Sequence, residues 1–318
     1  MNNTLTIIMY HYVRSRKLSR FPGLRVRDTE EFSRQLDYIQ NHYIPVTAES
    51  IVDALNGIKE LPERACFLTF DDGYLDHYLT VFPELSRRGI SGAFYPPVDA
   101  VQRKKVLEVN KIQLLLAHYG YGEVSHLLVR IKELYEEYQK EDNFQTLPES
   151  YEVLRERLSI AGRYDSADIM FIKAMLQYAL PFSWRNRLVN SLFSEAFPID
   201  HEIIASEMYM SLDMLRVMAK AGMHIGSHGS SHVWLDKLPV EAQYTEINQS
   251  LNMLRDVYGS SDFMWSVCYP FGGNTKETQR ICAEKGCSFG LTTIPKVATI
   301  VPECRFQLSR IDTNDLPA

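Results

Sequence analysis

Two adjacent carboxylates, Asp71 and Asp72, follow the apolar run Phe67-Leu68-Thr69-Phe70 and are followed at once by Gly73. An apolar run that ends in two acids and a glycine places both carboxylates where a buried strand stops and the backbone turns. Like charges this close repel, and a half-buried pair keeps both members ionised only beside a cation. Further along, the chain reads His224-Ile225-Gly226-Ser227-His228-Gly229-Ser230-Ser231-His232. His228 and His232, four residues apart with small residues between them, can aim both rings at one point, and one carboxylate completes a three-ligand site with an open position. Each feature has a plainer reading by itself: Asp71 or Asp72 capping the next helix, and a chance pair of histidines one helical turn apart. Together, one Asp and two His are the ligand set of a catalytic divalent metal.

Thr69-Phe70-Asp71-Asp72-Gly73 and Ser227-His228-Gly229-Ser230-Ser231-His232 resemble the first two motifs of the polysaccharide deacetylase, or NodB-homology, family, and Tyr269-Pro270-Phe271-Gly272 resembles the third. The resemblance implies an α/β fold of the distorted (β/α) barrel type. It implies one divalent metal ion, with zinc expected, on Asp72, His228 and His232, and Asp71 as the base. The implied reaction removes the N-acetyl group of an amino sugar, with a backbone N–H of the third motif, at Phe271 or its neighbour Tyr269, helping to hold the oxyanion.

Two positions depart from the family pattern. Cys268 stands where the third motif usually begins with an arginine, and Leu308-Ser309-Arg310 stands where the last motif carries Leu-x-His. No histidine follows His232. Either the acid comes from elsewhere, with His11 at the end of the first strand as the candidate, or the leaving amine is protonated through the metal-bound water and Asp71. Arg310 is the candidate for supporting Asp71 or for meeting a substrate anion.

The elements that must position these residues alternate. Leu5 to Val13 is β-branched and aromatic and reads as a first buried strand with His11 near its carboxyl end. Thr29 and Thr47 are expected to cap two helices, a helix is expected from Tyr74 to Arg88, and Ser91 to Tyr95 reads as the next strand. Alternation resumes after residue 210 with strands at 223–227, 263–270, 287–292 and 306–312, which predicts a mostly parallel sheet with the site at its carboxyl ends. Between these halves, residues 101–209 show helical periodicity punctuated by Pro148, Gly162, Pro181 and Pro198. The expected organisation is a β/α barrel over 1–100 and 210–318 with a helical insertion over 101–209. The segment from Arg14 to Arg27 is strongly basic and reads as a solvated loop or as one that greets an anionic substrate.

Composition narrows the function classes. A net charge of −6 leaves no basic footprint for nucleic acid. No apolar run is long enough to span a membrane, and Met1-Asn2-Asn3-Thr4 lacks the basic start of a secretion signal, so the expected location is cytoplasmic. Cys66, Cys268, Cys282, Cys287 and Cys304 are an odd set without metal-ribbon spacing, expected as free thiols in a reducing compartment. The expected partner is an N-acetylated sugar or a glycan, such as a surface-glycan precursor; the oligomeric state is not legible. Two rival functions remain at this level: a non-catalytic carbohydrate-binding protein with a degenerate site, and a metal-dependent hydrolase of another C–N bond, deformylase-like.

Overall fold

The computed structural model describes residues 3–141, 147 and 149–317. The predicted break at Pro148 and the start at Met1-Asn2 lie outside the described residues. The chain divides into two compact units, one of Met1–Ser15, Val26–Lys105 and His201–Ala318, the other of Arg16–Arg25 and Val106–Asp200.

Among its described residues the first unit holds nine strands: β1 (Thr4–Tyr10), β2 (Ile44–Pro45), β3 (Ala65–Asp71), β4 (Gly92–Tyr95), β5 (His224–Ile225), β6 (Val267–Cys268), β7 (Gly290–Leu291), β8 (Ala298–Thr299) and β9 (Ile311–Asp312). Parallel pairs run β9-β1-β3-β4-β5, while β6 pairs in parallel with β7. Parallel bridges Ser227↔Val267 and Leu291↔Leu308 link the two sets, so the pairings return to β1 in a closed circuit. On the outside, β2 pairs with the start of β3, and β8 runs antiparallel to β1.

Strands β1 and β3 are apolar on both faces because both faces are covered. Side chains alternate across a strand, and this period sorts them into two cores. Ile8, Tyr10, Leu68, Phe70 and Phe94 enter one, while Leu5, Ile7, Phe67, Ala93 and Tyr95 enter the other. The register agrees, pairing Ile7 with Phe67 and Ile8 with Leu68. A slip of one residue would exchange the two sets.

Local signals mark most helix ends. Thr47 caps Ala48–Leu55 by accepting from Ser50 N–H. The cap of Thr29–His42 is Asp28 rather than Thr29, because Asp28 and Glu31 form a reciprocal capping box. The helix expected from about Tyr74 opens at Leu75 and Asp76 and widens into a π turn over His77–Val81 that runs into Phe82–Arg88. Pro83 has no N–H to continue an α ladder, and the Phe82 N–H reaches back to His77 O. The later strands are shorter than their apolar runs suggest, and only Ile311–Asp312 of the last run pairs with β1.

The second unit is helical: Glu108–Tyr119, Ser125–Tyr138, Tyr151–Leu158, Ala167–Ala174 continuing into a π turn over Met175–Ala179, and Phe182–Ala196. Its core surrounds the fully buried Trp184, whose ring centroid is 5.0 Å from that of Tyr135. The basic segment contributes to this unit, since Arg25 bonds Asp165 at 2.6 Å and lies 4.0 Å from the Tyr121 ring centroid. No helix among the described residues is long and apolar enough to cross a membrane.

Candidate metal centre and its charged support

The carboxyl ends of the parallel strands bring the predicted residues together. Asp71 is the last residue of β3, and Asp72 begins the turn that follows, its N–H donating to Tyr95 O at 3.1 Å. Asp72 and Gly73 both adopt left-handed backbone conformations, with φ of 71° and 69°. At Gly73 a Cβ would come within 2.8 Å of Pro96 Cβ, so glycine is required on two counts. Strand β5 delivers His228 through Gly226, where a Cβ would lie 2.4 Å from the Tyr95 ring. Asp72, His232 and Phe271 are three of the five non-glycine residues with positive φ among the described residues. Such conformations cost of order 1–3 kcal/mol each and collect where function over-determines the backbone.

Asp72 Oδ1 lies 3.4 Å from His228 Nε2 and 3.1 Å from His232 Nε2. Donors on a tetrahedral centre with bonds of ~2.0–2.1 Å stand roughly 3.3 Å apart, so these are the separations such an ion needs. The surroundings orient each group. Tyr74 donates its hydroxyl to Asp72 Oδ2 at 2.6 Å, leaving Oδ1 buried without a hydrogen bond of acceptable geometry among the described residues. His228 Nδ1 is 2.6 Å from Cys268 O, and since a carbonyl only accepts, Nδ1 carries the proton and Nε2 turns its lone pair toward Asp72. Burial alone would raise the Asp72 carboxyl, but the charge of His232 and then the hydrogen bonds from His228 and His232 overcome it. Asp72 is thereby held well below the usual carboxylate range. A buried, unpaired oxygen between two imidazole nitrogens fits a divalent cation.

Asp71 has a different partner. Arg310, fully buried, grips it with two bonds, Nη1 to Oδ1 at 2.9 Å and Nη2 to Oδ2 at 2.8 Å. The guanidinium is itself fixed by Thr292 O and Thr69 Oγ1, at 2.9 and 3.1 Å. Cys268 Sγ sits between the pair, 3.4 Å from Asp71 Oδ2 and 3.0 Å from Arg310 Nη2. The small Cys268 side chain thus leaves room for an arginine that arrives from the segment before β9 instead of from β6. Burial pushes the Asp71 carboxyl up, and the Arg310 charge overcomes it, bringing the group down to about 2. His11 stands at the end of β1, its Nε2 4.0 Å from Asp71 Oδ2 and its side chain 41% exposed. Its carbonyl accepts from His77 Nε2 at 2.8 Å, which steadies the strand end.

Replacing one member of a buried bidentate pair strands the other's charge. Arg310→Met is therefore expected to lower unfolding free energy by about 3–5 kcal/mol, measured by denaturant titration. A change under about 1 kcal/mol, the level of an exposed pair, would show that Asp71 does not depend on Arg310.

The sequence profile of the polysaccharide deacetylase family matches residues 190–290, which contain both histidines and the third motif. Over these residues the chain resembles the polysaccharide deacetylase family. A curated relative in this family, the poly-beta-1,6-N-acetyl-D-glucosamine N-deacetylase of Escherichia coli K12, is 38% identical over 86 residues, 26% of this chain and 12% of the relative. The match therefore takes in a small part of that relative's length. Among solved structures, the Streptococcus pyogenes deacetylase PplD in complex with acetate aligns with a TM-score of 0.58 at 16% identity, over 99% of this chain and 93% of the other. IcaB from Ammonifex degensii aligns with a TM-score of 0.58 at 18% identity, over 98% and 93%. These likenesses establish a shared α/β fold.

Within the family's third motif the structure corrects one assignment. Tyr269 is fully buried, its hydroxyl packs against Gly290, and its N–H donates to Leu291 O at 3.1 Å. Neither its side chain nor its amide is available to an oxyanion, because the β6–β7 pairing consumes the amide. Phe271 does stand at the centre: its ring lies 4.7 Å from that of His232 at 72° and stacks on Trp234 at 4.7 Å and 8°. Sequence reasoning missed Tyr74 and the role of Cys268. The tyrosine directly after the Asp-Asp-Gly turn was a usable signal for the first; nothing local marks the second.

Proposed function

We propose that this chain hydrolyses the N-acetyl group of an amino sugar in a glycan, using one zinc ion held by Asp72, His228 and His232. The observation that carries the reading is the division of labour between adjacent carboxylates. Asp72 Oδ1 is buried, unpaired and flanked by two imidazole nitrogens, while Asp71 is kept ionised by Arg310 and turns Oδ2 toward His11.

When bound, the ion polarises the acetyl carbonyl and eases deprotonation of water. Asp71 is unprotonated at any working pH and accepts the proton of the attacking water at Oδ2. The same guanidinium makes it a weak resting base, so the proton does not stay. His11 Nε2, 4.0 Å from that oxygen, relays a proton to the leaving nitrogen. The water oxygen joins the acetyl carbon, the C–N bond breaks, and acetate and a free amine leave. A polymer or precursor of N-acetylglucosamine is the substrate class that the named relative suggests. Four buried free thiols, Cys66, Cys268, Cys282 and Cys287, suit a reducing compartment, and on that ground we place the reaction on a precursor in the cytoplasm.

Purified protein loaded with zinc should release acetate from N-acetylglucosamine oligomers or from N-acetylated sugar nucleotides. Stoichiometric zinc without acetate from either panel would overturn the activity. His11→Ala is expected to reduce turnover about 10²-fold with zinc content unchanged. Unchanged turnover in that variant would assign the proton transfer to another group.

A further inference from the structure

The loop between the two histidines, Gly229-Ser230-Ser231, is held from both sides by groups that belong to none of the three motifs. On one side, Glu246 Oε2 accepts from the N–H groups of Ser230 and Ser231, at 2.7 and 2.9 Å. Its other oxygen accepts from Ser231 Oγ at 2.6 Å. Gln249, one turn further along Val240–Tyr258, accepts from Ser230 Oγ at 2.6 Å. On the other side, the carbonyls of Gly229 and Ser230 accept from Val98 and Asp99 N–H groups, at 3.4 and 2.8 Å. Successive N–H groups pointing to one side form a concavity that attracts an anion. Here an internal carboxylate occupies it.

We propose that Glu246 is a positioning residue that sets the approach of His228 and His232 to the cation. The proposal rests on the reading of those histidines and Asp72 as ligands. The reason lies in the backbone. His232 sits at φ 55° and Gly229 at φ 70°, so the loop reverses through two left-handed residues to bring both Nε2 atoms to one oxygen. A non-glycine residue does not hold that conformation unaided. Charge-assisted bonds to two consecutive amides are among the stronger neutral-to-ion contacts available to a loop. A Cβ at residue 229 would lie 3.2 Å from Glu246 Oε2, so the glycine also lets the carboxylate close in. Both oxygens of Glu246 are spent on Ser230 and Ser231, so its action on the ion passes through the loop.

The test measures zinc affinity by competition with a chromogenic chelator, alongside the melting temperature of chelator-stripped protein. Glu246→Ala and the shorter Glu246→Asp, which retains charge but not reach, are both expected to weaken zinc binding about 10–100-fold. Glu246→Gln should bind like the unsubstituted protein, because its carbonyl can take the place of Oε2 and its amide can donate to Ser231 Oγ. If the Ala variant does not fold, the Asp variant carries the same expectation. Wild-type zinc affinity in Glu246→Ala or Glu246→Asp, whatever the melting temperature, overturns the proposal and leaves Glu246 a structural residue. His228→Ala is the control: if it binds zinc as tightly as the unsubstituted protein, the ligand assignment fails and this proposal fails with it. Loss of zinc there with full affinity in the Glu246 variants overturns the positioning role alone.

Discussion

Asp71→Asn is expected to retain one equivalent of zinc while acetate release falls by a factor on the order of 10² to 10⁴. The two halves of that expectation have separate physical origins. Zinc should be retained because Asp71 spends both oxygens on Arg310, at 2.9 and 2.8 Å, and the proposed oxygen donor to the ion is Asp72 Oδ1. Activity is lost because an amide cannot accept a proton from water at neutral pH. The Asn side chain also turns an NH₂ toward one guanidinium nitrogen, leaving the buried Arg310 charge under-compensated, and thermal unfolding should move downward as well. Zinc analysis and acetate assays on the same preparation decide the matter. A variant that loses zinc along with activity would make Asp71 a ligand, and one that keeps full turnover would remove it from proton transfer.

His228→Ala is expected to abolish stoichiometric zinc without unfolding the β/α unit. In the proposed site His228 supplies one of three ligating atoms, its ring oriented by the Nδ1–H bond to Cys268 O. The deletion also leaves Asp72, buried and ionised, with one imidazole where it had two. Some loss of stability follows, but the cores around β1 and β3 do not include His228. Metal analysis by mass spectrometry and far-ultraviolet circular dichroism separate the two effects. Full zinc occupancy in a folded variant would sink the assignment of all three ligands, since two donors do not hold a catalytic ion.

The sequence by itself determined the parts whose signals are local. Alternating apolar runs and helical periods specify the β/α order, and the acids and histidines fall just past the ends of their strands, so Asp71, Asp72, His228, His232 and His11 stand out as candidates in short windows. Thr47 as a cap is legible because the hydroxyl and the N–H it serves are three residues apart. Tertiary structure decided the rest. Arg310 and Asp71 are 239 residues apart, and their pairing follows only from closure of the strand circuit past β9, with Cys268 small enough to admit the guanidinium. Glu246 looks like one more acid on an exposed helix until that helix is packed beneath the histidine loop. Tyr269 sits inside a matching motif, yet its amide is consumed by a strand pair that no local pattern announces. Side chains near in sequence report on backbone conformation, whereas charge pairing and hydrogen-bond capacity depend on which elements the packed sheet brings face to face.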